Sequence, residues 1–221
     1  MRRWRAGGRQ VIPRPDGWSV GAAPLWVGSS RQFDVAEVEQ AMRTSGGARR
    51  VQEAVIGSKS SAVLVAVVDG DRGAEILLTR RSWDLRHHRG EVSFPGGRLD
   101  PGESVADAAL REAYEEVDLD PTLVSVIGEL DHLSTFVSNS YIVPVVARLD
   151  RRPQLVASAA EVDRIFYVPL VELQRADTHR EEDWGDHTDI RRLQFFELDD
   201  ETVWGATARI LVNLLDVLFA S

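Results

Sequence analysis

Apolar and polar positions along the chain alternate between short β-branched runs and a few stretches of helical period. Phe33, Val35, Val38 and Met42 recur at helical spacing, which predicts a short helix stopped by Gly46-Gly47. Residues 61–68 form a β-branched run, Asp69-Gly70 is a hairpin signal, and 74–79 reads as the partner strand. Residues 91–94 predict a short strand that ends in the sharp turn Pro95-Gly96-Gly97. Residues 104–117 are rich in Ala, Leu, Arg and Glu, all good helix formers, and predict a helix. Strands follow over 124–130 and 141–149, with Pro144 placing the second at an edge or a bulge. Two more are expected at 164–168, closed by Pro169, and at 192–197. A long amphipathic helix is predicted over 203–219, its apolar set including Ile210, Leu211, Leu214, Leu215 and Leu218. Strands interrupted by separated helices point to an α+β class with a mixed sheet. Residues 1–30, rich in Arg, Gly, Pro and Trp, show no period and read as an extended or poorly ordered arm.

Composition narrows the partners. The 221 residues carry a net charge of −9, which argues against nucleic acid and anionic membranes as partners. A polyanionic substrate would need local neutralisation by a cation and placed arginines. There is no cysteine, which excludes disulfides, thiol nucleophiles and Cys-ligated zinc and fits a cytoplasmic protein. No apolar stretch follows the arginines at the start, so a signal peptide is not expected, and the longest apolar run, 62–68, is far short of a membrane span.

The helix over 104–117 holds the chemistry. At 100° per residue from Leu110, residues Ala106, Ala113 and Val117 fall beside Leu110 as a core stripe. Glu115, Glu112 and Glu116 fall at about 140°, 200° and 240°, on a face shared with Ala108 and Ala109. The small alanines are expected to leave room for a ligand above the carboxylates. Like charges at these spacings repel by a few tenths of a kcal/mol per pair. Arg111 offsets one of them; Mg²⁺ or Mn²⁺, which take oxygen ligands, would offset the rest. Helical spacing alone fits an ordinary solvated acidic face equally well.

The residues upstream decide between the two. Gly97, five residues, Glu103, seven residues, Arg111-Glu112, Ala113, one residue, Glu115-Glu116 together resemble the Nudix hydrolase box. Every charged position matches; Asp118 stands where the family has a glycine that ends the helix with positive φ. The segment from Leu77 through Arg80-Arg81-Ser82 and Leu85-Arg86-His87-His88-Arg89-Gly90-Glu91 to Gly97 resembles the coenzyme A pyrophosphatase branch. So does Val203-Trp204-Gly205-Ala206-Thr207-Ala208 near the end. The resemblance covers roughly residues 60–215 and implies a Nudix-type α/β/α sandwich over 31–221.

The resemblance implies metal-dependent hydrolysis of coenzyme A or an acyl derivative to 3′,5′-ADP and 4′-phosphopantetheine or its acyl form. Glu112 and Glu116, at i and i+4, would be the principal metal ligands. Glu115 would be a further ligand or help activate the attacking water, and Arg111 and Glu103 would pair to orient the cluster. Arg80, Arg86, His88 and Arg89 would bind the substrate's phosphates together with the backbone of Gly96 and Gly97. Other readings are hydrolysis of ADP-ribose or NADH, and a non-catalytic ligand sensor, which would have lost a box carboxylate. The family occurs both as monomer and as homodimer. Trp4, Trp18 and Trp26 of the arm are expected to cover a dimer surface or to pack, and Trp184 and His187 to lie in a polar loop, either touching substrate or forming ordinary surface.

Overall fold

The structure is a computed structural model that describes residues 4–50, 59–135, 139–185 and 190–221. The chain builds two sheets. The larger has the order β4-β3-β2-β8-β6, where β2 is Lys59–Gly70, β3 Gly73–Arg81, β4 Val92–Ser93, β6 Val124–Glu129 and β8 Ser140–Leu149. Off this path, β5 (Gly96–Arg98) pairs with β2, β7 (Leu133–Thr135) with β8, and β9 (Val162–Pro169) with β3. β2 and β8 run parallel and the other pairs antiparallel, so the sheet is mixed.

Alternation along β2 sorts the core into two layers. Ala62, Leu64, Ala66 and Val68 face α2 (Val105–Val117), whereas Val65 and Val67 face α1 (Val35–Thr44) and α4 (Gly205–Ala220). Both sets are buried, as expected of a central strand covered on both faces. The α/β/α layering and the α+β class read from the sequence are present.

The smaller sheet has the order β1-β10-β11-β12: Ser19–Val20, His179–Trp184, Arg191–Glu197 and Thr202–Trp204. A single turn, α3 (Leu170–Leu173), links β9 toward it. The first residues run extended across this sheet. Trp4 Nε1 donates to the His179 carbonyl at 3.2 Å, and Arg14 pairs with Glu182 at 2.9 Å. Trp26, only 2% exposed, stacks on Phe196 and donates from Nε1 to Asp216 at 2.9 Å. Trp18 lies on the surface with Arg14 over its ring.

Four local expectations change. The hairpin turn sits at Asp71-Arg72, with Gly70 opposite Gly73, two residues beyond the Asp69-Gly70 signal. Pro144 lies in an interior strand, where β8 exchanges β7 for β6 as its neighbour; the ladder there is already broken, which is what a missing N–H tolerates. Residues 202–204 are a strand, and the last helix begins at Gly205. Trp184 ends β10, its Nε1 donating to Glu182 at 2.8 Å, rather than sitting in a polar loop; His187 lies outside the described residues.

Candidate active site

Helix α2 is set by its two ends. Ser104 is the N-cap and accepts from the Asp107 N–H at 3.1 Å. Asp118 closes it in the left-handed region at φ 55°, its N–H reaching Ala113 and Tyr114 carbonyls. Asp thus takes the conformation for which the box has glycine.

The buried face of α2 is Ala108, Ala109, Ala113, Glu116 and Val117, while Ala106 and Leu110 are only half-buried. This corrects the stripe centred on Leu110. The alanines leave no space for a ligand; they let the helix axis approach the sheet, and with it two of the glutamates turn inward.

Glu116 is 3% exposed. It accepts from the Gly96 N–H at 3.3 Å and faces the Arg81 guanidinium at 3.7 Å. Burial pushes its carboxyl up to about 7; Arg81 and Gly96 pull against that, and Glu161 and Glu112 add to it. Burial likewise raises the half-buried Glu112, with Arg111 opposing and Glu115 and Glu161 reinforcing. Gly97 is a glycine for a steric reason, since a Cβ there would overlap the Glu112 carboxylate. At Gly96 a Cβ would strike the backbone of Ala62 and Val63. The Pro-Gly-Gly turn therefore serves the carboxylates directly.

Arg111 ties the cluster together. Its Nε and Nη2 donate to both Glu103 oxygens at 2.9 and 3.1 Å, and Nη1 donates to Glu112 at 3.0 Å and Glu115 at 3.3 Å. The Arg98 carbonyl accepts from Nη2 at 2.9 Å and joins the helix to β5. The Arg111 bond holds Glu103 below the usual carboxylate range. Glu115 is the exposed member.

The basic residues divide. Alternation along β3 sends the consecutive side chains of Arg80 and Arg81 to opposite faces of the sheet. Arg80 is taken up by Asp163 at 2.5 Å and Glu201 at 2.5 Å. Arg81, part of the basic segment read from the sequence though not among the residues named there for phosphate, turns to Glu116. Arg86 and Arg89 lie exposed in the loop before β4 without an ion pair among the described residues, and His88, at φ 54°, meets Glu91 at 2.9 Å. Glu161 was also missed. It directly precedes β9, and its carbonyl accepts from the Ser82 N–H at 2.8 Å. Nothing in its local sequence marks it.

Among the described residues, no three carboxylates or imidazoles already enclose a cation position. The donors nonetheless fit a hard divalent ion. All are carboxylate oxygens, and the most buried of them has one neutral N–H and a distant guanidinium as partners.

Residues 58–193 match the NUDIX domain. The chain is 37% identical over 159 residues to the uncharacterized Nudix hydrolase NudL of Photorhabdus laumondii, covering 71% of this chain and 83% of that one. The likeness to the NudL of Citrobacter koseri is 37% over 166 residues, 75% of this chain and 85% of that one. A MutT/nudix family protein from Enterococcus faecalis shares the fold, with TM-score 0.51 and 15% identity over 85% of this chain and 75% of its own. With Arg111, Glu112, Glu115 and Glu116 of the box gathered on α2 and this match across most of the chain, the protein belongs to the Nudix hydrolases, enzymes that cleave pyrophosphate bonds.

Proposed function

We propose that this Nudix hydrolase cleaves the diphosphate of coenzyme A or an acyl-coenzyme A, with Mg²⁺ or Mn²⁺, giving 3′,5′-ADP and 4′-phosphopantetheine or its acyl form. The observation that carries the hydrolytic reading is Glu116, a carboxylate buried beside Gly96 and Arg81 where no side chain neutralises it fully. The coenzyme A reading rests on the resemblance of the segment 77–97 and of 203–208 to that branch.

In this reading Glu112 and Glu116 hold the cation, and Glu115 is a further ligand, directly or through water, or helps activate the attacking water. When bound, the cation neutralises the diphosphate and the charge that develops on it. Arg111, locked to Glu103, keeps Glu112 and Glu115 oriented. Gly96 and Gly97 let the turn lie against the carboxylates. Arg86, Arg89 and His88 meet the phosphates from the loop. Arg81 replaces Arg80 as the strand's phosphate contact, because Arg80 is already held by two carboxylates.

Incubation with coenzyme A, ADP-ribose and NADH, each with Mg²⁺ and Mn²⁺, followed by product identification, tests the assignment. Release of 3′,5′-ADP from coenzyme A is expected. Brisk turnover of ADP-ribose or NADH with coenzyme A left intact would remove it.

A further inference from the structure

Hydrolysis consumes a water, and that water must give up a proton as it attacks. The carboxylates of the box are poorly placed to take it, because each is already engaged. Glu103 accepts from Arg111 Nε and Nη2, and Glu112 and Glu115 share its Nη1. Glu116 is buried on the Gly96 N–H and faces Arg81. A carboxylate that accepts from a guanidinium is a weaker base, and one that holds a cation has its lone pairs occupied.

Glu161 is held at the same place by its backbone alone. The segment that leads to it is fastened to the end of α2. The Val156 N–H donates to the Val117 carbonyl at 3.0 Å, and the Ser158 N–H to the Glu116 carbonyl at 2.9 Å. A turn follows, in which the Glu161 and Val162 N–H groups both donate to the Ser158 carbonyl, at 2.9 and 2.8 Å. Val162 is buried and pairs with Arg81, and the Glu161 carbonyl accepts from the Ser82 N–H at 2.8 Å. Glu161 therefore stands between the end of β3, which carries Arg81, and the end of α2, which carries Glu116. Its negative charge is felt by Glu112 and Glu116 alike, so its carboxylate faces the space that those two share.

The side chain itself is left over. Glu161 is exposed, and its carboxylate has no hydrogen bond or ion pair among the described residues. A glutamate kept for folding would spend its oxygens on a partner. A glutamate kept for solubility would gain nothing from a position against two like charges, which costs electrostatic energy. Open to water, without a cationic partner and fixed by five backbone hydrogen bonds, this carboxylate has what a proton acceptor needs.

We propose that Glu161 is the general base of the hydrolysis, which leaves Glu115 to the cation. The water oxygen forms a bond to one phosphorus as one of its protons passes to the Glu161 carboxylate and on to solvent. The second proton stays on the new phosphate. The bond from that phosphorus to the bridging oxygen breaks, and its electron pair departs on the other phosphate. The proposal rests on the placement of the cation at Glu112 and Glu116, and holds whichever diphosphate is cut.

The test is Glu161→Gln, which keeps the size of the side chain and every backbone bond and removes the base. The substrate is coenzyme A, or ADP-ribose should the product analysis above select it. With Mg²⁺, kcat should fall by roughly a hundredfold or more, and KM should change far less. Calorimetric titration of Mn²⁺ into the substrate-free protein reads the site apart from turnover. There the variant should stay within about tenfold of the wild-type affinity, and its unfolding midpoint should not drop. Glu161→Ala should repeat the pattern. A smaller loss of kcat overturns the proposal. So does a larger loss of Mn²⁺ affinity, which would make Glu161 a ligand. Glu116→Gln, titrated in parallel, should no longer bind Mn²⁺. Intact binding in that variant would remove the cation placement, and the base with it, whereas a failure confined to Glu161→Gln removes the base alone.

Discussion

Glu116 is an ionisable group packed as though it were apolar. Its carboxyl is pushed from 4.5 to about 7, so the folded chain binds this proton more tightly than the unfolded chain. Metal-free stability from this group is therefore full below about pH 4.5 and is lost as pH rises through 7, by about 3 kcal/mol. Glu116→Gln removes that loss, and urea unfolding at pH 8 without metal should show the variant more stable by about 2–3 kcal/mol. The same variant should no longer gain melting temperature from Mg²⁺ or Mn²⁺, and its turnover should collapse. Equal unfolding midpoints for both proteins at pH 8 would contradict the burial argument. His179 works with the opposite sign. Buried against Trp26 and Phe196, it is pushed from 6.5 down to about 4, while Nε2 bonds Gln194 at 2.8 Å and Nδ1 has no partner among the described residues. It keeps the unfolded chain the better proton binder, so its contribution is present above about pH 6.5 and fades toward 4. The two groups offset each other between about pH 5 and 6.5. The wild type should be nearly flat there, and Glu116→Gln should gain stability steadily with pH across the same window.

Individual elements show where sequence is informative. The run of helix formers over 104–117 located α2, and Asp118 in the glycine position of the box marked its end; Ser104 proved to be its cap rather than its first residue. Asp118→Gly tests the end: it removes a left-handed non-glycine residue and a negative charge at a helix C-terminus, and should raise stability by about 0.5–1 kcal/mol in thermal or urea unfolding. A loss of stability would mean that the Asp118 side chain has a role of its own. The inward turn of Glu112 and Glu116 was not legible, because a helical wheel counts glutamate as polar and alanine as neutral. The wheel cannot register that three alanines bring a helix close enough to a sheet to bury a carboxylate. The different fates of Arg80 and Arg81 were also hidden, since their partners Asp163, Glu201 and Glu116 lie far along the chain. Glu161 is a plain loop glutamate until folding sets it near α2. β1 and β10 escaped notice because their pairing, Ser19 to Asp183, joins distant segments with no apolar alternation.

Over the whole molecule, the arm and the small sheet form one unit with the last helix. A buried ionic chain runs under the arm: Arg180 to Glu182 at 2.6 Å and to Glu197 at 2.5 Å, with Arg14 closing on Glu182. Trp26→Ala should cost about 3–5 kcal/mol, as expected for a buried large aromatic, and would leave the Asp216 carboxylate without its indole donor. Thermal unfolding of that variant measures it; a shift of only a degree or two would show the arm to be a loose covering. Wild-type box geometry should survive the change, because α2 packs on the opposite face of the sheet.

The arm also bears on how the chain is made. Its partners, β10, β11 and Asp216, lie some 160 to 190 positions downstream. During synthesis the arm emerges before these partners and stays without them until they too have left the ribosome. Contacts of such separation close late, after the locally connected strands have formed. The arm is therefore translated before the segments it covers and seated after them.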